Sequence, residues 1–206
     1  MYNKIKLYDT TLRDGAQSEG ISYSVADKIL IAQKIDTLGI HYIEGGWPAN
    51  VKDEQFFKKL KKKNHFKHAE LVAFAATRRA DISADKDKSL KNVLDAETRA
   101  VTVFGKTWDL HVRDVLKVSL DENLKIISDT VDFLCKHDKE VIYDAEHFFD
   151  AYRANPEYAL KTILAAQEAG ASNITFCDTN GGTLTCDVIK IISEVKHKIT
   201  VPFGIH

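Results

Sequence analysis

The sequence contains few cysteines and no excess of charge of either sign. Cys135, Cys177 and Cys186 are the three cysteines among 206 residues; they lack the CxxC spacing of many zinc sites, and their odd number argues against a disulfide framework. Lysine and arginine total 29 against 30 acidic residues, a formal net charge of −1, which leaves no surplus of positive charge to neutralise phosphates. Nucleic acid and membrane are therefore not expected partners, and small-molecule substrates are favoured.

Long apolar runs are also absent. No segment is long enough to span a bilayer, and Met1 leads into a strand-like segment rather than a signal peptide. Since the cysteine pattern also indicates a reducing compartment, we expect a cytoplasmic protein. No linker or low-complexity tract divides the chain, so residues 1–206 are predicted to form the N-terminal and central part of a single catalytic domain.

Short β-rich runs alternate with longer amphipathic runs along the chain. Their spacing of roughly 30 to 35 residues corresponds to one βα unit per step. Ser24 with Asp27 resembles a capping box, and Asn155 followed by Pro156 indicates a second helix start. Seven strands are predicted, centred near Leu7, Ile43, Val72, Val103, Ile142, Thr175 and Phe203.

Seven strands of this kind are compatible with two α/β folds. One is an open doubly wound sheet, and the other is a TIM (β/α)8 barrel, which needs about 250 residues when complete. Polar candidate residues follow almost every strand, which favours a ring of strand ends over a single crevice at a switch point. We therefore predict a TIM barrel that is truncated after its seventh strand.

Candidate metal ligands follow the first and the last of these strands. Asp14 could simply form a strand-end ion pair with Arg13 or a helix cap. His206 follows the seventh strand, however, and mixed carboxylate and imidazole sets commonly hold divalent cations. Asp14 and His206 are therefore predicted to bind a divalent ion. Mg, Mn and Zn all fit such a set, and a third ligand is expected beyond His206.

Two further segments carry candidate chemistry. Glu146 follows the fifth strand, where a carboxylate in a barrel mouth can take part in proton transfer, although a surface carboxylate is the simpler interpretation. The segment 177–182 is either a turn before a helix or an anion site. In the second case Thr179 donates to a substrate carboxylate, while Gly181 and Gly182 let backbone amides approach it.

Six segments, in order along the whole chain, resemble the acyl-CoA-dependent enzymes that condense α-keto acids. These are the isopropylmalate, homocitrate and citramalate synthases, and the motifs of the second and third strands are most similar to the citramalate type. The resemblance implies a TIM-barrel fold and a divalent metal cofactor. The segments are Thr11–Gln17, Glu44–Pro48, Phe104–His111, Asp144–Asp150, Asp178–Gly182 and Gly204–His206.

The same resemblance implies an acyltransferase that joins the methyl carbon of acetyl-CoA, its co-substrate, to the keto carbon of an α-keto acid. Pyruvate is the expected acceptor, giving citramalate and CoA in isoleucine and leucine biosynthesis. Three alternatives stay open: a 2-isopropylmalate synthase acting on 2-oxoisovalerate, a lyase of the hydroxymethylglutaryl-CoA type, and a non-catalytic barrel fragment that needs a partner chain. The resemblance also implies an eighth strand and a C-terminal regulatory region, absent here, and a homodimer of the full-length protein.

Residue roles follow from the resemblance as well. Arg13 would stabilise the charge that develops on oxygen during addition, and Glu146 would take part in deprotonating the acetyl methyl group. Asp14 and His206 would hold the metal ion. Substrate binding is expected of Gln17, Glu44, Tyr143 and Thr179, the last of which would hold the keto acid carboxylate.

Overall fold

The computed structural model describes residues 5–61 and 66–206. None of the helices in these ranges is both long and apolar enough to cross a bilayer. The strands are β1 (Tyr8–Asp9), β2 (Tyr42–Gly46), β3 (Glu70–Ala76), β4 (Ala100–Lys106), β5 (Glu140–Glu146), β6 (Asn173–Phe176) and β7 (Phe203–Ile205). The helices are α1 (Val25–Thr37), α2 (Val51–Leu60), α3 (Lys88–Asp95), α4 (Asp109–His111), α5 (Leu120–Cys135), α6 (Phe148–Ala154), α7 (Pro156–Glu168) and α8 (Thr185–Val195).

The strands form one sheet in which they follow each other in chain order, β1 to β7. The pairs β1 with β2, β2 with β3, β5 with β6 and β6 with β7 are all parallel. A doubly wound sheet reverses its strand order at a switch point. The uninterrupted order is instead that of a TIM barrel, as predicted from the polar residues at the strand ends.

Local sequence signals account for the helix starts. The Ser24 hydroxyl accepts a hydrogen bond from the Asp27 amide at 3.2 Å, and the Asp27 carboxylate accepts one from the Ser24 amide at 2.8 Å. This is the reciprocal capping box predicted from the sequence. At α7, Pro156 occupies the first turn and the Asn155 side chain accepts from the Tyr158 amide at 3.1 Å.

The chain divides into two compact units, the first within Met1–Ala75 and Lys88–Val101 and the second comprising Ala76–Asp87 and Thr102–His206. In the first unit every residue of β2 is buried. A Cβ atom at Gly45 would lie 2.9 Å from the rings of both Phe56 and Phe57. Only glycine therefore lets these two rings of α2 pack directly on the strand.

The core of the second unit is aromatic. Phe148 and Phe149, at the start of α6, are fully buried, and Phe148 packs on Phe176 of β6 with ring centroids 4.5 Å apart. Gly105 on β4 makes a similarly close approach, because a Cβ atom there would lie 2.4 Å from the hydroxyl oxygen of the fully buried Tyr143. Both units thus use a glycine at a strand end to admit a large ring.

Candidate active site

In the first unit, Arg13 lies in the turn that follows β1 and is held on several sides. Its Nε donates to the carboxylate of Glu44 on β2, and its Nη1 donates to Asp14 at 3.0 Å. The guanidinium carbon lies 4.0 Å from the centroid of the Phe74 ring. The Glu44 side chain is completely buried and also accepts from the Tyr8 hydroxyl at 2.8 Å. Arg13 is therefore a cation that its neighbours hold in a fixed position.

The turn after β1 places the neighbouring predicted residues at the surface. The Thr10 carbonyl accepts hydrogen bonds from the amides of Arg13 and Gly15, both at 3.1 Å. Asp14 is exposed, with 47% of its side chain accessible beside the Arg13 pair. Gln17 ends the short 3₁₀ turn that follows and is also exposed. Both side chains can therefore contact ligands from solvent.

A buried lysine fixes the end of β2, a feature that the sequence analysis missed. Lys28 on α1 donates to the Gly45 carbonyl at 2.6 Å and to Asp53 on α2 at 2.5 Å, and Asp53 also accepts from the Trp47 amide at 3.0 Å. Burial lowers the pKa of Lys28, and the Asp53 carboxylate opposes this shift. Gly46 has a φ of +128°, and a Cβ atom there would lie 2.5 Å from Asp53. The local fold therefore requires glycine at this position.

In the second unit, Glu146 at the end of β5 pairs with Lys106 at the end of β4. The lysine Nζ donates to Glu146 Oε2 at 2.6 Å, and the two side chains are 20% and 21% exposed. The Lys106 carbonyl accepts from the buried Asn123 side chain at 2.8 Å. Because the pair is only partly buried, the Glu146 carboxylate is accessible from solvent, and its part in proton transfer stays a prediction.

Two histidines and a tryptophan lie close to one another in the same unit. The ring centroids of His111 and His147 are 4.8 Å apart, and those of Trp108 and His111 are 5.0 Å apart. Burial lowers the pKa of His111, and the nearby His147 and Lys106 charges lower it further. The Glu146 and Asp150 carboxylates oppose this shift, but the net pKa of His111 lies below its ordinary value. The sequence analysis gave His111 no role, although Trp108 and His111 have the i, i+3 spacing that joins side chains on a helical turn.

His147 adopts a left-handed backbone, with a φ of 54°. For a residue with a Cβ atom this conformation costs on the order of 1 to 3 kcal/mol and is kept only where neighbours enforce it. Its amide donates to the Thr179 hydroxyl at 2.9 Å, and its Nδ1 lies 3.3 Å from Asp150, which also accepts from Asn180 at 2.9 Å. These contacts tie the loop after β6 to the loop after β5.

The loop after β6 is a turn built on Asp178. The Asp178 carboxylate accepts from the Thr183 amide at 3.0 Å and from the Thr183 hydroxyl at 2.7 Å. Gly181 has a φ of +64°, and its amide donates to the Asp178 carbonyl at 2.7 Å. Turn chemistry therefore explains this segment, and Thr179, which is exposed beside it, stays a predicted substrate-binding residue.

Tyr143 and His206 lie in contrasting environments. Tyr143 is fully buried, which raises the pKa of its phenol; its predicted contact with substrate stays a prediction. His206 follows β7 and is exposed. One of its ring nitrogens lies within 4.8 Å of a possible ligand atom of Asp144 and of Cys177. Asp14 belongs to the first unit and His206 to the second, and their joint binding of an ion also stays a prediction.

A family model described as HMGL-like matches residues 4–206. The chain belongs to the HMGL-like family. This HMGL-like chain is 56% identical over 203 residues to the (R)-citramalate synthase of Geobacter sulfurreducens, covering 98% of this chain and 38% of the relative. It is 53% identical over 208 residues to the (R)-citramalate synthase of Aquifex aeolicus, covering 100% of this chain and 39% of the relative. The chain thus spans about two fifths of the length of these relatives.

A solved structure has the same fold. The HMG-CoA lyase of Bacillus subtilis matches with a TM-score of 0.80 at 19% identity, over 98% of this chain and 68% of the lyase. At this identity the likeness concerns the fold alone. With the strand order, it confirms the predicted fold class, a TIM-type barrel present here through its seventh strand.

Proposed function

We propose that the protein carrying this chain condenses acetyl-CoA with pyruvate and releases citramalate and CoA, in the biosynthesis of isoleucine and leucine. The observation that carries the proposal is the identity of 56% and 53% to two (R)-citramalate synthases over 98% and 100% of this chain. The partly exposed Glu146 carboxylate beside His147 gives this proposal a candidate base.

The proposed reaction requires one proton to leave carbon and one to reach oxygen. Glu146, directly or through His147, takes a proton from the acetyl methyl group, and the electron pair of that C–H bond forms the new bond to the keto carbon. The keto oxygen gains a proton and becomes the hydroxyl of the product. Water then cleaves the thioester, which leaves a carboxylate and the CoA thiol.

Arg13 is suited to stabilise the negative charge that develops on the keto oxygen. Its guanidinium is held by the buried Glu44 and by Asp14, so little reorganisation is needed when the charge appears. Since the Glu44 side chain is buried, we assign it to positioning Arg13. Gln17 and Thr179, both exposed, are assigned to substrate binding, with Thr179 at the keto acid carboxylate.

The donor chemistry at the two expected metal ligands fits a divalent ion. Asp14 offers an exposed carboxylate and His206 an exposed imidazole, a set compatible with Mg, Mn and Zn. When bound, the ion would polarise the keto carbonyl group as a Lewis acid. The expected homodimer of the complete protein is part of the same proposal, and sedimentation measurements on that protein would test it.

Thiol release from acetyl-CoA tests the proposed function. We expect release with pyruvate and a divalent ion, and loss of release when a chelator is added. Release with 2-oxoisovalerate but not with pyruvate would replace the proposal with isopropylmalate synthesis. Cleavage of 3-hydroxy-3-methylglutaryl-CoA without condensation would replace it with a lyase. A folded protein that is inactive in all three assays would favour a fragment that needs a partner chain.

A further inference from the structure

Three potential metal ligands of different chemistry converge within the second unit. They are a carboxylate on β5, Asp144, a thiol directly after β6, Cys177, and an imidazole directly after β7, His206. One ligand atom from each lies within 4.8 Å of the others. Neither Asp144 nor Cys177 has a role in the proposed condensation.

The register of the sheet explains why these side chains meet. Asp144 is paired with Thr175, and Thr175 is paired with Gly204. Side chains two residues apart on a strand point to the same face, so Cys177 lies on the face of Thr175 and His206 on the face of Gly204. The backbone continues this pairing, because the Cys177 amide donates to the Ala145 carbonyl at 3.3 Å and the His206 amide donates to the Phe176 carbonyl at 3.0 Å. The convergence therefore follows from the parallel sheet.

The three donors select for a particular class of ion. Carboxylate, thiolate and imidazole together suit a borderline ion such as Zn²⁺ or Co²⁺, whereas a thiolate is a poor ligand for Mg²⁺. Zinc bonds of about 2.0 to 2.3 Å at tetrahedral angles separate ligand atoms by about 3.3 to 3.8 Å. The ligand atoms of the three side chains lie within 4.8 Å of one another, so movements of about 1 Å would bring them to these separations. Three protein ligands also leave a fourth position for water.

Burial supports the same conclusion. Asp144 is 7% exposed and Cys177 6% exposed, while His206 is exposed. A divalent ion bound by these three side chains would place positive charge beside the buried Asp144 carboxylate. The Cys177 thiol lies 3.8 Å from the Thr175 carbonyl oxygen, a long contact that a metal bond would replace.

We propose that Asp144, Cys177 and His206 form a binding site for a thiolate-accepting divalent ion of the zinc class. This ligand set differs from the Asp14 and His206 set expected for the condensation, and the two share only His206. An ion held by the cluster would compete with the catalytic ion for that imidazole. Excess zinc would therefore inhibit the proposed reaction.

Cobalt titration of the metal-free, reduced protein that carries this chain tests the site, because a cobalt–thiolate bond has a charge-transfer absorption band in the near ultraviolet. We expect the wild-type chain to develop this band with one equivalent of Co²⁺. Cys177→Ala should abolish it and weaken Co²⁺ binding by at least about 100-fold, since even outer-shell changes cost 10- to 100-fold. The matched control is Cys186→Ala, which removes an exposed cysteine of α8 and should leave the band intact.

Two further variants separate this site from the proposed function. Asp144→Asn should weaken Co²⁺ binding, whereas Asp14→Asn should abolish condensation and leave the cobalt–thiolate band unchanged. Absence of the band in the folded wild-type chain, or its persistence in Cys177→Ala, would overturn the site whether or not condensation is observed. Loss of the band in Asp14→Asn would also overturn the proposed ligand set. Circular dichroism of each variant verifies that it is folded.

Discussion

Two regions of the molecule each pair a carboxylate with a cationic side chain near the ends of neighbouring strands, but the two ion pairs differ in burial. In the first unit the Glu44 side chain is fully buried and that of Arg13 is 13% exposed. In the second unit both Lys106 and Glu146 are about one fifth exposed. A buried pair fixes a charge in one place because separating it would leave an uncompensated ion. A partly exposed pair leaves its carboxylate accessible, as the proposed proton transfer requires.

The side chains around the two ion pairs also differ. Arg13 is surrounded by groups that restrict it, including the Phe74 ring and the Asp14 carboxylate. Glu146 is followed in sequence by His147, whose ring packs near His111. The first region therefore holds its charge in a fixed position, and the second contains the groups that we propose accept and pass on protons.

The largest effect is expected from Glu146→Gln, which removes the proposed base while keeping the side-chain shape. Thiol release from acetyl-CoA with pyruvate should fall by about 10²- to 10⁴-fold, the usual contribution of general base catalysis. Unfolding by urea should change little. Glu140→Gln, at the opposite end of β5, is the control and should retain activity. Equal activity of the two variants would exclude Glu146 as the base.

Glu44→Gln is expected to have the largest effect on stability. Removing one partner of a buried ion pair leaves the other uncompensated, so the free energy of unfolding should fall by about 3 kcal/mol. Urea denaturation measures this change. The control is Glu54→Gln on α2, whose pair with Lys58 is exposed and whose loss should change stability by less than about 0.5 kcal/mol. Similar changes in both variants would show that the Arg13 region is no more tightly fixed than the surface.

The strands and several helix starts could be predicted from the sequence because their signals are local. The β-rich runs near Ile43, Val72, Val103 and Ile142 lie within observed strands, since β-branched residues favour the strand conformation and apolar ones its burial. Ser24 forms its capping box with a residue only three positions away. Such signals depend on a few residues that are close in the sequence, so they can be recognised without knowledge of the tertiary fold.

The contacts that fix the site residues could not be predicted, because they join distant parts of the chain. Lys28 is a charged residue in an amphipathic helix, and its burial depends on Asp53, 25 positions later. Tyr143 was expected near substrate from its motif, but its exposure is decided by Gly105 and the packing of the second unit. The proposed role of Glu146 comes from the family resemblance and stays a prediction, whereas its pairing with Lys106 required the structure.

Gly105→Ala should destabilise the second unit because the added methyl group would lie 2.4 Å from the buried Tyr143 hydroxyl oxygen. Overpacking of this kind costs about 1 to 3 kcal/mol, measurable by urea denaturation. Gly182→Ala is the matched control, since nothing lies within 4 Å of its added Cβ atom, and it should have almost no effect. Equal stability of both variants would show that the Tyr143 ring can move aside, and hence that this region is not rigidly packed.

The smallest expected effect concerns Asp36 on α1, which accepts hydrogen bonds from the amides of Lys67, His68 and Ala69 at 2.9, 2.8 and 2.8 Å. Burial raises the pKa of Asp36, but these three bonds outweigh it and the net pKa lies below 3.8. The folded state therefore holds the proton less tightly than the unfolded state. The resulting stability is complete above the unfolded pKa and is lost as the pH falls through the folded pKa.

Asp36→Asn should accordingly lower the free energy of unfolding by about 1 kcal/mol at neutral pH, because a neutral acceptor replaces a charged one. The difference from wild type should shrink as the pH falls from about 5 to about 2, as urea midpoints across that range would measure. Asp95→Asn, an exposed change on α3, is the control and should change the free energy of unfolding at neutral pH by less than about 0.5 kcal/mol. A pH-independent difference between Asp36→Asn and wild type would mean that the shape of the Asp36 side chain, and not its charge, stabilises this contact. The pair of Arg13 and Glu44 would then contribute more electrostatic stability to the first unit than Asp36 does.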